Sequence, residues 1–287
     1  MMKSSILQTN TNIVTSALTF LPRELMLLVM DLMNLGSVFS LSRVCKSLLI
    51  VGHKMYKTFP DIHNILIDTI RNNHSDLFKW LTPDTNLTLP RAVREYHEQA
   101  AHSGSLEILK YLQTQTQFRG GNECFWSAWS CYYAAQNDHL EILKYLHENG
   151  YPWNIDACYH AAMKGHLDIL KYLHENGCRW DTCVCAYAVE NGHFEILKYL
   201  HENGCPWSNH ICCYAAENGH LEILRYLHEN GCPLNSNTCY YAITSGHLEI
   251  LKYLHENGCH PDERCCVYAA ENGHLEILNY LYENGYH

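Results

Sequence analysis

The chain has no apolar run approaching the length of a membrane span, and its opening residues are too polar for a secretory h-region. An intracellular, cytoplasmic protein is expected. Proline is scarce, at 8 of 287 residues. Basic residues are few, with 20 Lys and Arg against 30 Asp and Glu. The imbalance is regional. Residues 1–72 carry seven basic and four acidic side chains, and the remainder carries 13 and 26. An acidic surface repels phosphate backbones, so nucleic acid is excluded as a partner and a basic protein surface is favoured. No glycine-rich phosphate loop, nucleophile–base grouping or paired-carboxylate motif is present. The chain is not expected to be an enzyme, and nothing calls for a cofactor.

What the chain has in abundance is histidine, cysteine and tyrosine, at 20, 15 and 20 residues. No C-x-x-C pair exists among the cysteines. Ten of them fall on two ladders of 27-residue period: Cys131, Cys158, Cys185, Cys212, Cys239 and Cys266, and then Cys178, Cys205, Cys232 and Cys259. Equivalent positions on stacked helices lie about 8–10 Å apart, beyond the roughly 7 Å that a disulfide spans. Buried apolar thiols in a reducing compartment follow. The histidines form ladders too, one from His139 to His274 and one from His147 to His255. Same-helix pairs are eight apart, the wrong spacing for a metal site. The first ladder is expected to brace the turn between helices, and the second to lie near a solvated helix end.

These ladders belong to one repeated unit. HLEILKYLHENG at His139–Gly150 recurs in close copies from His166, His193, His220, His247 and His274, and worn copies start at Ser105 and His74, making eight. A fixed period of this length marks a solenoid, in which each unit buries its apolar face on its neighbours. In each unit a favoured N-cap residue (Ser127, Asn154, Asp181, Ser208, Asn235, Asp262) opens a short helix. The preceding Trp126, Trp153, Trp180, Trp207 or Leu234 sits at hydrophobic-staple spacing from the first cysteine ladder. Paired alanines allow close backbone approach, and a glycine such as Gly219 takes the left-handed turn. A second helix then places Leu221, Leu224 and Leu227 on one face, with Ile223 and Tyr226 flanking. Two helices per 27 residues leave no room for a strand, so the fold class is all-α. The worn units are expected as helices at Asp61–Asn73 with His74–Leu81, and Arg91–Ser103 with Ser105–Gln113. Gln113–Gly121 reads as a polar loop.

The run Tyr214-Ala215-Ala216-x-x-Gly219-His220-Leu221-Glu222-Ile223-Leu224, closed by Asn230-Gly231, resembles ankyrin repeats. The unit is shorter than the ankyrin period of about 33, and the resemblance implies a helix-pair solenoid without β-hairpin fingers. Units of this wording look like those in the F-box/ankyrin families of giant DNA viruses of amoebae, which would place the chain in a host cytoplasm. On that resemblance the position before the paired alanines (Tyr133, His160, Tyr187, Tyr214, Tyr241, Tyr268) lies on the concave, partner-binding side. Packing between first helices is the other role open to this stripe. The segments Asn154–Ala157, Asp181–Val184, Ser208–Ile211, Asn235–Thr238 and Asp262–Cys265 diverge between units and are candidates for partner specificity.

Ahead of the array, after a flexible leader at 1–19, residues 20–60 form a helical module. LPRELMLLVMDLMNLGSVFSLSRVCKSLL resembles the F-box motif. That resemblance implies docking on a Skp-type adaptor of a cullin–RING ubiquitin ligase, through Leu21, Pro22, Leu25, Leu28, Leu41, Val44 and Cys45. The array at 61–287 would hold a target protein, possibly basic, and the chain would be a monomer outside that complex. The alternative is an ankyrin scaffold or decoy, in which the first helices only cap the solenoid.

Overall fold

A computed structural model describes residues 62–82, 90–117 and 127–287. Every regular element among them is an α-helix, as the 27-residue spacing requires. The described helices fall into two compact units, divided between residues 83 and 84.

The first unit contains α1 (Ile62–Arg71) and α2 (Ser75–Leu81), joined by a turn in which Asn73 takes a φ of 54°. Leu66, Ile67, Ile70 and Phe78 are its buried apolar side chains.

The second unit is a row of helix pairs: α3 (Pro90–His102) with α4 (Leu106–Gln117), α5 (Ala128–Gln136) with α6 (Leu140–Glu148), α7 (Ile155–Lys164) with α8 (Leu167–Glu175), and α9 (Thr182–Glu190) with α10 (Phe194–Glu202). It continues as α11 (Ile211–Glu217) with α12 (Leu221–Glu229), α13 (Ser236–Thr244) with α14 (Leu248–Glu256), and α15 (Cys265–Glu271) with α16 (Leu275–Glu283). First helices pack on first helices throughout, and more closely than second helices approach one another. The alanine pairs explain the difference. Ala134 with Ala135, Ala161 with Ala162 and Ala215 with Ala216 are fully buried, and their small side chains let the helix axes come together.

The local signals are mostly obeyed. Ser127 and Asp181 accept hydrogen bonds from Trp129 N and Cys183 N, and Asn235 forms a reciprocal capping box with Thr238. Asn154 occupies the cap position, but its amide is turned to Asp156 Oδ2 at 2.7 Å. In two units the expected cap is displaced. α11 and α15 start three residues after Ser208 and Asp262, because a turn at 209–210 or 263–264 precedes each helix. From α6 onward each second helix ends at an asparagine whose side chain folds back on the main chain four residues earlier, as Asn230 Nδ2 does to Tyr226 O at 2.8 Å.

Two core assignments need correction. The buried face of the second helix is Ile223, Leu224 and Leu227, with Leu221 only half-buried, and the same phase holds in the neighbouring repeats. The helix enters its turn rotated so that its second apolar residue, and not its first, points inward. The loop after α4 is also shorter than expected. The helix runs to Gln117, and Gln113 is buried, with its Nε2 donating to Asn149 Oδ1 at 2.7 Å and its Oε1 accepting from the Tyr145 hydroxyl.

Candidate interaction surface

Three side-chain ladders hold the repeats in register and so position whatever the surface presents. The first is the histidine that opens each second helix. It does not brace its own turn. Its Nε2–H donates to a main-chain oxygen of the preceding repeat: His166 to Gln136 O at 3.1 Å, His193 to Met163 O at 2.9 Å, His220 to Glu190 O at 3.3 Å, and His247 to Glu217 O at 3.0 Å. These carbonyls belong to the last turn of a helix, where no intrahelical donor is left for them.

The second ladder sits at the far end of the second helices. His147, His174, His201, His228 and His255 each share a hydrogen bond of 2.8–3.1 Å, through Nδ1, with a tyrosine hydroxyl of the next repeat: Tyr172, Tyr199, Tyr226, Tyr253 and Tyr280. The tryptophan that recurs ahead of the first helices completes the group. Trp153, Trp180 and Trp207 lie over His147, His174 and His201 with ring centroids 4.0, 3.7 and 4.3 Å apart, and Trp180 meets Tyr199 edge-on. The tryptophans thus pack on the preceding second helix, a contact that staple spacing alone does not reveal. Trp126 lies outside the described residues. In the α3–α4 pair Gln113 stands where the others have histidine, and it takes the same tyrosine contact through Tyr145.

The third ladder is made of cysteines, and here the two series meet. Cys158 Sγ is 2.9 Å from Cys178 Sγ, and Cys239 Sγ is 3.1 Å from Cys259 Sγ. All four are free thiols and buried. The 27-residue comparison within each series does not reach this contact, which arises between series, 20 residues apart. Cys183 is the exposed cysteine among those described. No group of three or more His, Cys, Asp and Glu side chains among the described residues could hold a metal ion.

The face left over lies on the first helices. Tyr133, His160, Tyr187, Tyr214, Tyr241 and Tyr268 are all half-buried there. Three of these rings touch the preceding repeat through the tyrosine beside its stripe position: His160 meets Tyr132 at 4.4 Å, Tyr187 meets Tyr159 at 5.5 Å, and Tyr268 meets Tyr240 at 4.9 Å, all between centroids. The stripe is thus packed between repeats at these places while keeping part of each ring in solvent. Beside it Trp129, Tyr240 and Val267 are exposed at 51%, 37% and 46%. The sequence pattern did not single these out: Trp129 lies four residues before Tyr133 on the same helical face, while Tyr240 and Val267 lie one residue before Tyr241 and Tyr268, about 100° round the helix. Acidic groups border the aromatics. Burial, and then the adjacent Glu217, push the Glu190 carboxyl above its ordinary range.

The divergent segments are only partly available. The fourth residue of each (Ala157, Val184, Ile211, Thr238, Cys265) is in the core, since three residues past the cap the helix faces its neighbour. Asn154, Thr182, Cys183, Asn209, His210, Asn237 and Arg264 are exposed. Asp181 is tied down by Tyr159, whose hydroxyl donates to Oδ2 at 2.7 Å. Leu21, Pro22, Leu25, Leu28, Leu41, Val44 and Cys45 lie outside the described residues.

No helix among the described residues is long and apolar enough to cross a membrane. Against models of protein families, residues 131–210, 186–265 and 212–287 match ankyrin repeats, described as three copies, and residues 18–56 match the F-box domain. No curated protein matches the chain. The ankyrin matches together span 157 of the 287 residues. With stacked helix pairs, buried alanines and left-handed glycines at the inner turns all in place, the chain belongs to the ankyrin-repeat family and carries an F-box domain ahead of its repeats.

Proposed function

We propose that this protein is a substrate-recruiting adaptor of a cullin–RING ubiquitin ligase. The F-box segment engages a Skp-type subunit through Leu21, Pro22, Leu25, Leu28, Leu41, Val44 and Cys45, and the repeats hold the protein to be ubiquitinated. The observation that carries this reading is the presence of both matches in one chain, an F-box domain at 18–56 and ankyrin repeats over 131–287. The chain catalyses no bond change in its target; it brings two proteins together in the cytoplasm, that of an infected host if its origin is viral.

The target is held on the first-helix face. Half-buried Tyr133, His160, Tyr187, Tyr214, Tyr241 and Tyr268 form a rigid amphipathic strip, and aromatic groups of this kind are enriched where proteins meet. The acidic surplus from residue 73 onward favours a basic partner.

Pull-down of the full chain with a Skp-type subunit tests the first half, with the Leu21→Asp/Leu25→Asp double variant as control. Capture by the wild type and loss in the variant support the reading. No capture by the wild type leaves the scaffold or decoy role, with the N-terminal helices acting as a cap. For the second half, ubiquitination targets are identified with the wild type and with a Trp129→Ser/Tyr240→Ser variant. Targets that survive the variant unchanged place recognition elsewhere.

A further inference from the structure

The cysteine pairs have no part in recruiting a partner, and their geometry is specific. In each of four consecutive helix pairs, a cysteine in the first helix faces a cysteine just past the end of the second helix. Cys158 faces Cys178 at 2.9 Å and Cys239 faces Cys259 at 3.1 Å, and Cys185 with Cys205 and Cys212 with Cys232 hold the same two buried places in the intervening repeats. The first member of each pair is fully buried, and the second is 2–7% exposed beside an exposed Arg179, Pro206, Pro233 or His260. The series stops at both ends. Cys131 has Tyr151 where the others have a second cysteine, and Cys266 has Tyr286.

We propose that Cys158–Cys178, Cys185–Cys205, Cys212–Cys232 and Cys239–Cys259 are oxidation sites, at which a peroxide-class oxidant converts each thiol pair to a disulfide that clasps the open end of one helix pair. At Cys158–Cys178 and Cys239–Cys259 the two sulfurs are in contact already, so closure there starts from sulfurs about an ångström beyond bonding distance. The hydrogen-bond direction supplies an order of events. At Cys158 the first-helix thiol donates, and the thiol–thiol hydrogen bond together with burial pushes Cys158, Cys212 and Cys239 up. The same bond holds Cys178, Cys232 and Cys259 below the ordinary thiol range. The second cysteine, at the edge of the core, is therefore the nucleophile. Its sulfur attacks one oxygen of the peroxide, the O–O bond breaks, and a sulfenic acid and water form. The sulfur of the first-helix cysteine then attacks that sulfenic sulfur. The S–S bond forms, the S–O bond breaks, and the departing hydroxide takes the thiol proton as a second water. Two thiols are oxidised by two electrons, and one peroxide is reduced to two waters.

The consequence follows from the solenoid. Each unit is held only by its neighbours, so opening proceeds one pair at a time. A bond between the start of the first helix and the residue after the second prevents a pair from splaying. Oxidation would convert four adjoining pairs from openable to closed, and a reductant would reverse it.

The test uses the full chain, purified reduced, treated with hydrogen peroxide under native conditions, then alkylated in denaturant and mapped by peptide mass spectrometry. The expected product is a monomer lighter by about 8 Da before alkylation, two hydrogens for each of four bonds. It yields the four named cross-linked peptides, and its melting midpoint lies about 10 °C or more above that of the reduced chain, restored by dithiothreitol. Cys178→Ser removes the Cys158–Cys178 peptide and spares the other three. Cys183→Ser, which alters an exposed thiol outside the pairs, leaves all four, and keeps the test open if Cys178→Ser does not fold. The proposal is overturned if the eight cysteines remain alkylatable, if oxidation stops at Cys183 or at intermolecular dimers, or if the mapped bonds join other residues. None of these outcomes bears on whether the F-box binds its adaptor.

Discussion

The imidazole of His220 occupies the space that a side chain on Gly192 would need. Its Cε1 lies 2.7 Å from where a β-carbon on that glycine would stand, while its Nε2 reaches Glu190 O in the same turn. The same arrangement joins Gly165 to His193, Gly219 to His247 and Gly246 to His274. Glycine is required twice over here, by its φ of 75° and by the neighbour's ring. One natural exception shows the constraint at work. Asp138 stands at this position with φ 61°, and its carboxylate turns to His166 Nδ1 at 3.7 Å. Asp is among the few residues that tolerate this backbone region.

Two kinds of glycine should therefore respond differently to alanine. Gly219→Ala meets both the left-handed backbone at φ 79° and the His247 ring, while Gly231→Ala meets only its φ of 88°, with nothing within 4 Å. The second should cost about 1 kcal/mol and the first about 1–3 kcal/mol more. Urea denaturation measures both. Adding His247→Ala should close most of the gap, and equal losses in the two single variants would mean that the imidazole yields freely.

The Trp–His–Tyr groups can be dismantled in steps. Tyr199→Phe removes only the hydroxyl that meets His174 Nδ1 at 3.1 Å, and should lower stability by about 1 kcal/mol. Trp180→Ala also removes a ring stacked 3.7 Å from His174 and should cost about 3 kcal/mol. Chemical denaturation of the three proteins side by side checks the order. If Trp180→Ala proves no worse than Tyr199→Phe, the stack contributes nothing.

Acid should weaken the array through His97. Burial pushes this imidazole below its usual value of 6.5, so the unfolded chain takes up a proton before the folded one does. Stability is then complete above pH 6.5 and falls as pH drops from there to the folded-state value, where the loss levels off. His97→Cys, which installs the residue found at the equivalent place in the other repeats, should flatten that slope. On the alkaline side burial pushes Cys131 up to about 12 from 9.0, so stability should fall again between those values. Thermal midpoints across pH for wild type and variant decide both statements. An acid slope unchanged in His97→Cys would locate the titration in other histidines.

A basic target should leave as the medium becomes acidic. Residues 73–287 hold 13 basic, 26 acidic and 18 histidine side chains, so full protonation would take this region from −13 to about +5. Affinity for such a target should drop between about pH 7.5 and about pH 5.5. Unchanged binding by a still-folded array over that range would remove the electrostatic part of the proposed recognition.

Much of the local structure was written in the repeat itself. The 27-residue period, the cap residues before the first helices, the asparagine and glycine at helix ends and the alanine pair each act within a few residues of chain, so their pattern announces helix, stop and close approach. The F-box wording was likewise readable before any fold was considered. Errors arose where the answer depends on which way a helix is turned against a neighbour. The spacing puts Leu221 in the core ahead of Ile223, makes Ser208 and Asp262 helix caps and leaves Gln113 in a loop, whereas packing buries Ile223 ahead of Leu221 and holds Gln113 against Tyr145 and Asn149.

By itself, then, the sequence determined that this chain is a stack of helix pairs and where most of its helices start and stop, because hydrogen bonding over three or four residues settles those questions locally. Only the tertiary structure decided that a histidine reaches a carbonyl 30 residues back, that a tyrosine reaches a histidine 25 residues back, and that the two cysteine series meet at a separation of 20. Those offsets depend on how far each pair is shifted and rotated against the next. That geometry is set by the combined packing of alanines, leucines and rings across the junction, and no single repeat contains it.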